Sequence, residues 1–111
     1  MWLFTVHGFY SIVQKTDETF HIRSRHKRDL MNLKDLAALK TAPVKSHAGS
    51  DYPWRIIATR EEKDRAIQAL GRDIEYGNFK SAVATEPDQA GKLSAYHEVW
   101  SVMRQTQPLE P

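Results

Sequence analysis

Lys15-Thr16-Asp17-Glu18-Thr19-Phe20-His21-Ile22-Arg23-Ser24-Arg25 is the stretch on which the fold turns. A polar, turn-rich run is followed by strict alternation, with Phe20, Ile22 and Ser24 against His21, Arg23 and Arg25. Such a period of two marks a half-buried strand. The short polar gap joins it, as a hairpin, to the β-branched and aromatic residues from Leu3 to Gln14. Closing the hairpin at Lys15 and Glu18 predicts Tyr10 opposite Arg23, Ile12 opposite His21 and Gly8 opposite Arg25. Phe9, Ser11 and Val13 then share the core side with Phe20, Ile22 and Ser24. A bulge at Gly8 brings Trp2, Phe4 and Val6 to that same side.

Downstream, Asp29 is a suitable N-cap, and Leu30, Leu33, Leu36 and Ala37 recur at helical spacing, which predicts an amphipathic helix over 30–40. The segment from Thr41 to Pro53 reads as a loop with one short extended piece near Val44. Trp54 to Thr59 alternates as a third strand. Thr59 and Glu62 have capping-box spacing and open a helix that runs through Ile67, Leu70 and Ile74 to Gly77. The type of 78–84 stays open. After Pro87 and Asp88 comes a last helix striped by Leu93, Tyr96, His97, Trp100 and Met103.

The element order is β-β-α-β-α-α. A crossover from the second strand through the first helix makes the third strand parallel to the second and pairs it with the first. The expected architecture is an α+β sandwich of the ferredoxin-like kind, a three- or four-stranded sheet ordered 2-1-3 with helices mainly on one face.

With 111 residues, 41% apolar and 27% charged, the chain suits one globular domain over 1–106 and a frayed tail over 107–111. It has no cysteine, which removes disulfides, thiolate metal sites and cysteine nucleophiles. No apolar run has the length of a signal segment or membrane span, so the expected location is cytoplasmic. The net charge of +2 excludes a polybasic binder of duplex backbone. It averages over an asymmetry, however: residues 1–50 carry eight basic and four acidic side chains, and 51–111 carry eight and ten.

That asymmetry is concentrated in His21-Ile22-Arg23-Ser24-Arg25-His26-Lys27-Arg28, with four fixed positive charges and no acid. Alternation gathers His21, Arg23 and Arg25 on one face, and the expected register adds Tyr10. An aromatic ring among guanidinium groups can stack a base while the arginines hold phosphate. Arg55 can join from the third strand. Tyr76, Asn78 and Lys80 can wall a pocket, Asn78 toward a base edge and Lys80 toward phosphate. A solvated or partner-covered sheet face is the plainer alternative. His7 and His26 can approach across the hairpin end, but no pair of histidines has metal-ligand spacing, so no metal or other cofactor is implied.

Together, Trp2-Leu3-Phe4, Gly8-Phe9-Tyr10-Ser11, His21-x-Arg23-x-Arg25, Asp29-Leu30 with Asn32-Leu33, Asp51-Tyr52 with Arg55, Tyr76-Gly77-Asn78-Phe79-Lys80 and Tyr96-His97-Glu98-Val99-Trp100 resemble a family of small, uncharacterised single-domain bacterial proteins. The resemblance implies a free-standing domain of bacterial or phage-borne origin. It carries no activity or site residue with it.

Three functions follow from the residues. The first is a binding module whose face of Tyr10, His21, Arg23 and Arg25, with Arg55, Asn78 and Lys80, takes a phosphate-bearing ligand, a nucleotide or short single-stranded nucleic acid. The second is a protein-interaction or inhibitor module, homodimeric through the sheet face, with Ile12 as its exposed anchor. The third is a small hydrolase or nuclease with His97 or His21 as base.

Overall fold

The hairpin forms, one residue away from the expected register. In the computed structural model, which describes residues 1–47 and 49–109, β2 (Phe9–Gln14) and β3 (Phe20–Ser24) pair Ser11 with Arg23, Ile12 with Ile22 and Val13 with His21. The turn decides this. Lys15 and Thr16 both donate their N–H to the Thr19 carbonyl, so the loop is Thr16-Asp17-Glu18, and its odd length moves each β2 position to the opposite face from that expected. Tyr10 and Ile12 therefore enter the core, where Tyr10 is 0% exposed and Ile12 6%. Burying a large apolar side chain is worth about 1.5–3 kcal/mol, and two of them outweigh any local turn preference.

Gly8 is not a bulge. Thr5 donates its N–H and hydroxyl to the Gly8 carbonyl, closing a tight turn that makes β1 (Trp2–Phe4) a separate strand beside β2. Pairing of Leu3 with Tyr10 and Phe4 with Phe9 leaves Leu3 against the core, whereas Trp2 and Phe4 share the opposite face with Phe9 and Ser11.

Among the described residues the sheet has five strands, with β4 at Val44–Ser46 and β5 at Trp54–Ala58, all neighbours antiparallel, in the order β1-β2-β3-β5-β4. The α+β class is as expected; strand number and order differ from the 2-1-3 arrangement, because the third predicted strand pairs with the second and not with the first. The short extended piece near Val44 is responsible. It forms β4 (Val44–Ser46), which lies parallel to β3 after the crossover through α1 (Lys27–Ala37). β5 (Trp54–Ala58) then returns as its hairpin partner and slots between them.

The helix side of the sheet presents Tyr10, Ile12, Ile22, Ile56 and Ala58 to Leu30 and Leu33 of α1 and to Ala66 and Leu70 of α2 (Arg60–Arg72). The capping box that opens α2 is present, Thr59 and Glu62 each accepting from the other's backbone N–H. α2 stops at Arg72, short of the predicted end at Gly77, and Ile74 is exposed. Asn78 caps α3 (Phe79–Ala84), which settles the type of that segment. A 3₁₀ turn over Ala90–Lys92 leads into α4 (Leu93–Arg104), whose predicted stripe buries Tyr96 alone. Of the tail expected over 107–111, Glu110 and Pro111 lie outside the described residues. Among the described residues, no helix is long and apolar enough to cross a membrane.

Asp29 is not the N-cap of α1. His26 holds that place, and Asp29 is 1% exposed inside the domain. Its carboxylate accepts from Phe9 N–H at 3.1 Å, Gln89 Nε2 at 2.9 Å and Lys92 Nζ at 2.6 Å. Tyr10 donates its hydroxyl to the Asp29 carbonyl at 2.7 Å. Gly8 is required beside it, because a Cβ there would stand 2.5 Å from Asp29 Cβ and Cγ.

Removing one partner of a buried ion pair leaves an uncompensated charge, so Lys92→Met is expected to lower the unfolding free energy by about 3–5 kcal/mol in urea titration. Gly8→Ala is expected to cost about 1–3 kcal/mol by overpacking against the same carboxylate. Wild-type midpoints for both variants would contradict the central role of Asp29.

Candidate functional site

The face of the sheet away from α1 and α2 carries the basic residues. One rung crosses all five strands, Trp2, Ser11, Arg23, Arg55 and Lys45 in successive register, and it sets three cationic side chains on adjacent strands. The rung beside it holds Val13, His21 and Ile57. Like charges placed directly opposite one another on a sheet repel. Among the described residues no carboxylate forms an ion pair with Arg23, Arg25, Arg55 or Lys45.

The arginines are held by neutral acceptors. Arg23 Nη2 donates to Ser11 Oγ at 2.7 Å, and Arg25 Nη1 to the Asp51 carbonyl at 2.8 Å. Arg55, 8% exposed, has Nη1 3.0 Å from His21 Nδ1 and Nη2 3.4 Å from Ser50 Oγ. Since a guanidinium only donates, His21 Nδ1 is the acceptor and the ring is neutral. Burial lowers the His21 pKa from its ordinary value, and the positive charges of Arg55, Lys15, Arg23 and His47 lower it further. The Nε atoms of Arg23 and Arg55 are buried without a hydrogen-bond partner among the described residues. The cluster is thus rich in donors and poor in acceptors.

Tyr10, the ring expected among the arginines, lies on the other face as a consequence of the register. Tyr52 stands in its place. Arg23 and Arg25 lie over its ring, with Cζ 4.6 and 4.7 Å from the centroid, within cation–π range. Tyr52 is 6% exposed and continues a run of aromatic contacts through Phe9 and Phe4 to Tyr96. The dense segment Asp51-Tyr52-Pro53-Trp54-Arg55 was the signal for it in the sequence; Ser11, Lys45 and Ser50 carried none, because their place depends on strand order.

His21, Arg23, Arg25 and Arg55 are therefore brought together, and Arg55 faces Arg23 rather than Tyr10. Asn78 and Lys80 are not part of the cluster. The Asn78 side chain is used in capping α3. Lys80 Nζ lies 3.0 Å from His97 Nδ1 and over the Trp100 ring. His97 is exposed, stacks on Trp100 and has no carboxylate orienting it among the described residues. Ile12 is buried and offers no anchor on the sheet face. His7 pairs with Asp73, and His26 is the N-cap residue of α1. Among the described residues no group of three or more His, Asp or Glu side chains is arranged to hold a metal ion.

No family model matches the chain, and neither a curated protein nor a solved structure matches it significantly.

The neutral state of His21 makes stability depend on pH. Below about pH 6.5 the unfolded chain protonates this histidine while the folded chain resists, so the folded state loses ground as pH falls toward the folded pKa. In urea titrations from about pH 7.5 down to about pH 5.5, the stability of the wild type relative to His21→Gln is expected to decline steadily. A difference that stays constant across the range would contradict it.

Proposed function

We propose that the basic sheet face binds a phosphate-bearing ligand, a nucleotide or a short single-stranded nucleic acid. The observation that supports this reading is the Arg23–Arg55–Lys45 rung, three cations on neighbouring strands with no carboxylate paired to them among the described residues. A purely structural cluster would be expected to recruit an acid from the sequence, which has 14. The arginine forks match phosphate oxygens in bidentate fashion, and the Tyr52 ring holds Arg23 and Arg25 side by side through its cation–π contacts. The modest total charge suits a compact anion rather than a long duplex.

Calorimetry with sulfate, adenosine monophosphate and a short single-stranded RNA is the direct test. Arg23→Ala and Arg25→Ala are each expected to weaken binding by about tenfold or more, the cost of one charge-assisted hydrogen bond. Raising the salt should weaken it further for the exposed Arg25 than for the more buried Arg23. Unchanged affinity in both variants, or no binding to any anion, would refute the proposal.

A different observation favours a second reading, a protein-interaction or inhibitor module. α4 leaves Trp100 52% exposed and Val102 and Met103 each 59% exposed, more apolar surface than one helix of a small domain needs to show. This face, not Ile12, would then serve as the anchor of a homodimer. Light scattering is expected to show a mass that rises with concentration and returns to that of a monomer in Trp100→Asp. A strict monomer at all concentrations would exclude self-association.

A further inference from the structure

Where β1, the start of β2, the start of α1 and the side of α4 converge, there is a cavity of about 290 Å³. Its walls include Phe4, Phe9, Tyr52 and Tyr96, drawn from two strands, a loop and a helix. The rings are already spaced for mutual contact, Phe4 and Phe9 stacked at 4.6 Å and Phe4 edge-on to Tyr96 at 5.5 Å. Asp29 and Lys92 contribute polar atoms to the lining, each held in place by the other. A larger surface depression of about 560 Å³ at Glu18, Arg60, Glu61 and Arg65 is less informative. Its charges answer one another, Arg60 with Glu18 and Arg65 with Glu61.

Two residues belong both to this cavity and to the basic face. Arg25 and Tyr52 line the cavity, and Arg23 lies over the same Tyr52 ring at 4.6 Å. A group seated in the cavity therefore has a guanidinium at its mouth and a second one across the ring.

We propose that the cavity is the base subsite of a mononucleotide, whose phosphate rests on Arg25 and Arg23. This deepens the phosphate-binding reading and rests on it. The size supports one heteroaromatic ring system: sites for drug-sized ligands run from about 300 to 1,000 Å³, and this cavity falls just under that range. The lining supports an aromatic occupant, since every base has a π face and stacks on Phe and Tyr without regard to sequence.

The test uses the full chain and separates the two claims. Ribose 5-phosphate reports the anion site alone, and the four nucleoside monophosphates report both. At least one monophosphate is expected to bind about tenfold more tightly than ribose 5-phosphate, the gain from stacking one base. Ala95 lines the cavity from an exposed position on α4, so Ala95→Trp fills it without disturbing the core. In that variant the monophosphate is expected to fall to the affinity of ribose 5-phosphate, which itself stays unchanged. Equal binding of all the phosphates by the wild type, or a base preference that survives Ala95→Trp, would overturn the base subsite and leave the anion site standing. Loss of the anion reading looks different: ribose 5-phosphate would bind as well to Arg23→Ala as to the wild type. No binding of any phosphate compound would remove both.

Discussion

A buried carboxylate must be neutralised or surrounded by donors, and the position of Asp29 imposes that requirement on two distant parts of the chain at once. Its oxygens take the Phe9 N–H from β2, Gln89 Nε2 and Lys92 Nζ from the turn before α4, while its own carbonyl accepts the Tyr10 hydroxyl. Solvation lost on burying such a charge is of several kcal/mol and is offset only when all these partners are in place. The arrangement is for that reason cooperative. The residue at position 8 can have no Cβ, the first hairpin must lie at one height on α1, and α4 must approach the sheet at the end where Lys92 reaches it.

The same constraint shapes the functional surface. With α4 held by Lys92, Tyr96 meets Phe4 and Phe79, and an aromatic run extends from α3 through α4 to Phe9 and Tyr52. Tyr52 in turn carries Arg23 and Arg25. Packing against Phe9 and cation–π contact with Arg23 and Arg25 give the Tyr52 ring a fixed place. The basic rung is thereby continuous with an aromatic cavity, and it is the combination, charge next to π surface, that distinguishes this face from an ordinary solvated one.

Much of this is legible in the amino-acid sequence. The alternation of Phe20 to Arg25 identified a strand and the face shared by His21, Arg23 and Arg25. The Thr59–Glu62 spacing identified the start of α2, and Val44 marked a short extended piece. What failed was parity. A two-residue and a three-residue closure of Lys15 to Thr19 are both plausible as local chemistry, yet they place Tyr10 and Ile12 on opposite sides of the sheet. Only the helices that cover one side decide which closure buries more. Asp29 failed in a similar way. An aspartate before an apolar run reads as a cap, because nothing local reveals that Lys92, 63 residues later, will reach its carboxylate.

By itself, the sequence determined the α+β class, the strand that bears the basic residues, the capping of α2 and the absence of thiol side chains. Each of these depends on residue type and on spacing within a few positions, where sterics and hydrogen bonding act locally. The tertiary structure alone decided that Tyr52 and not Tyr10 accompanies the arginines, that Arg55 and Lys45 join their rung, and that Asn78, Lys80 and His97 stand apart. Those outcomes depend on strand order and on which face is buried. Both are set by the burial of apolar surface summed over the whole chain, a quantity that no local window contains.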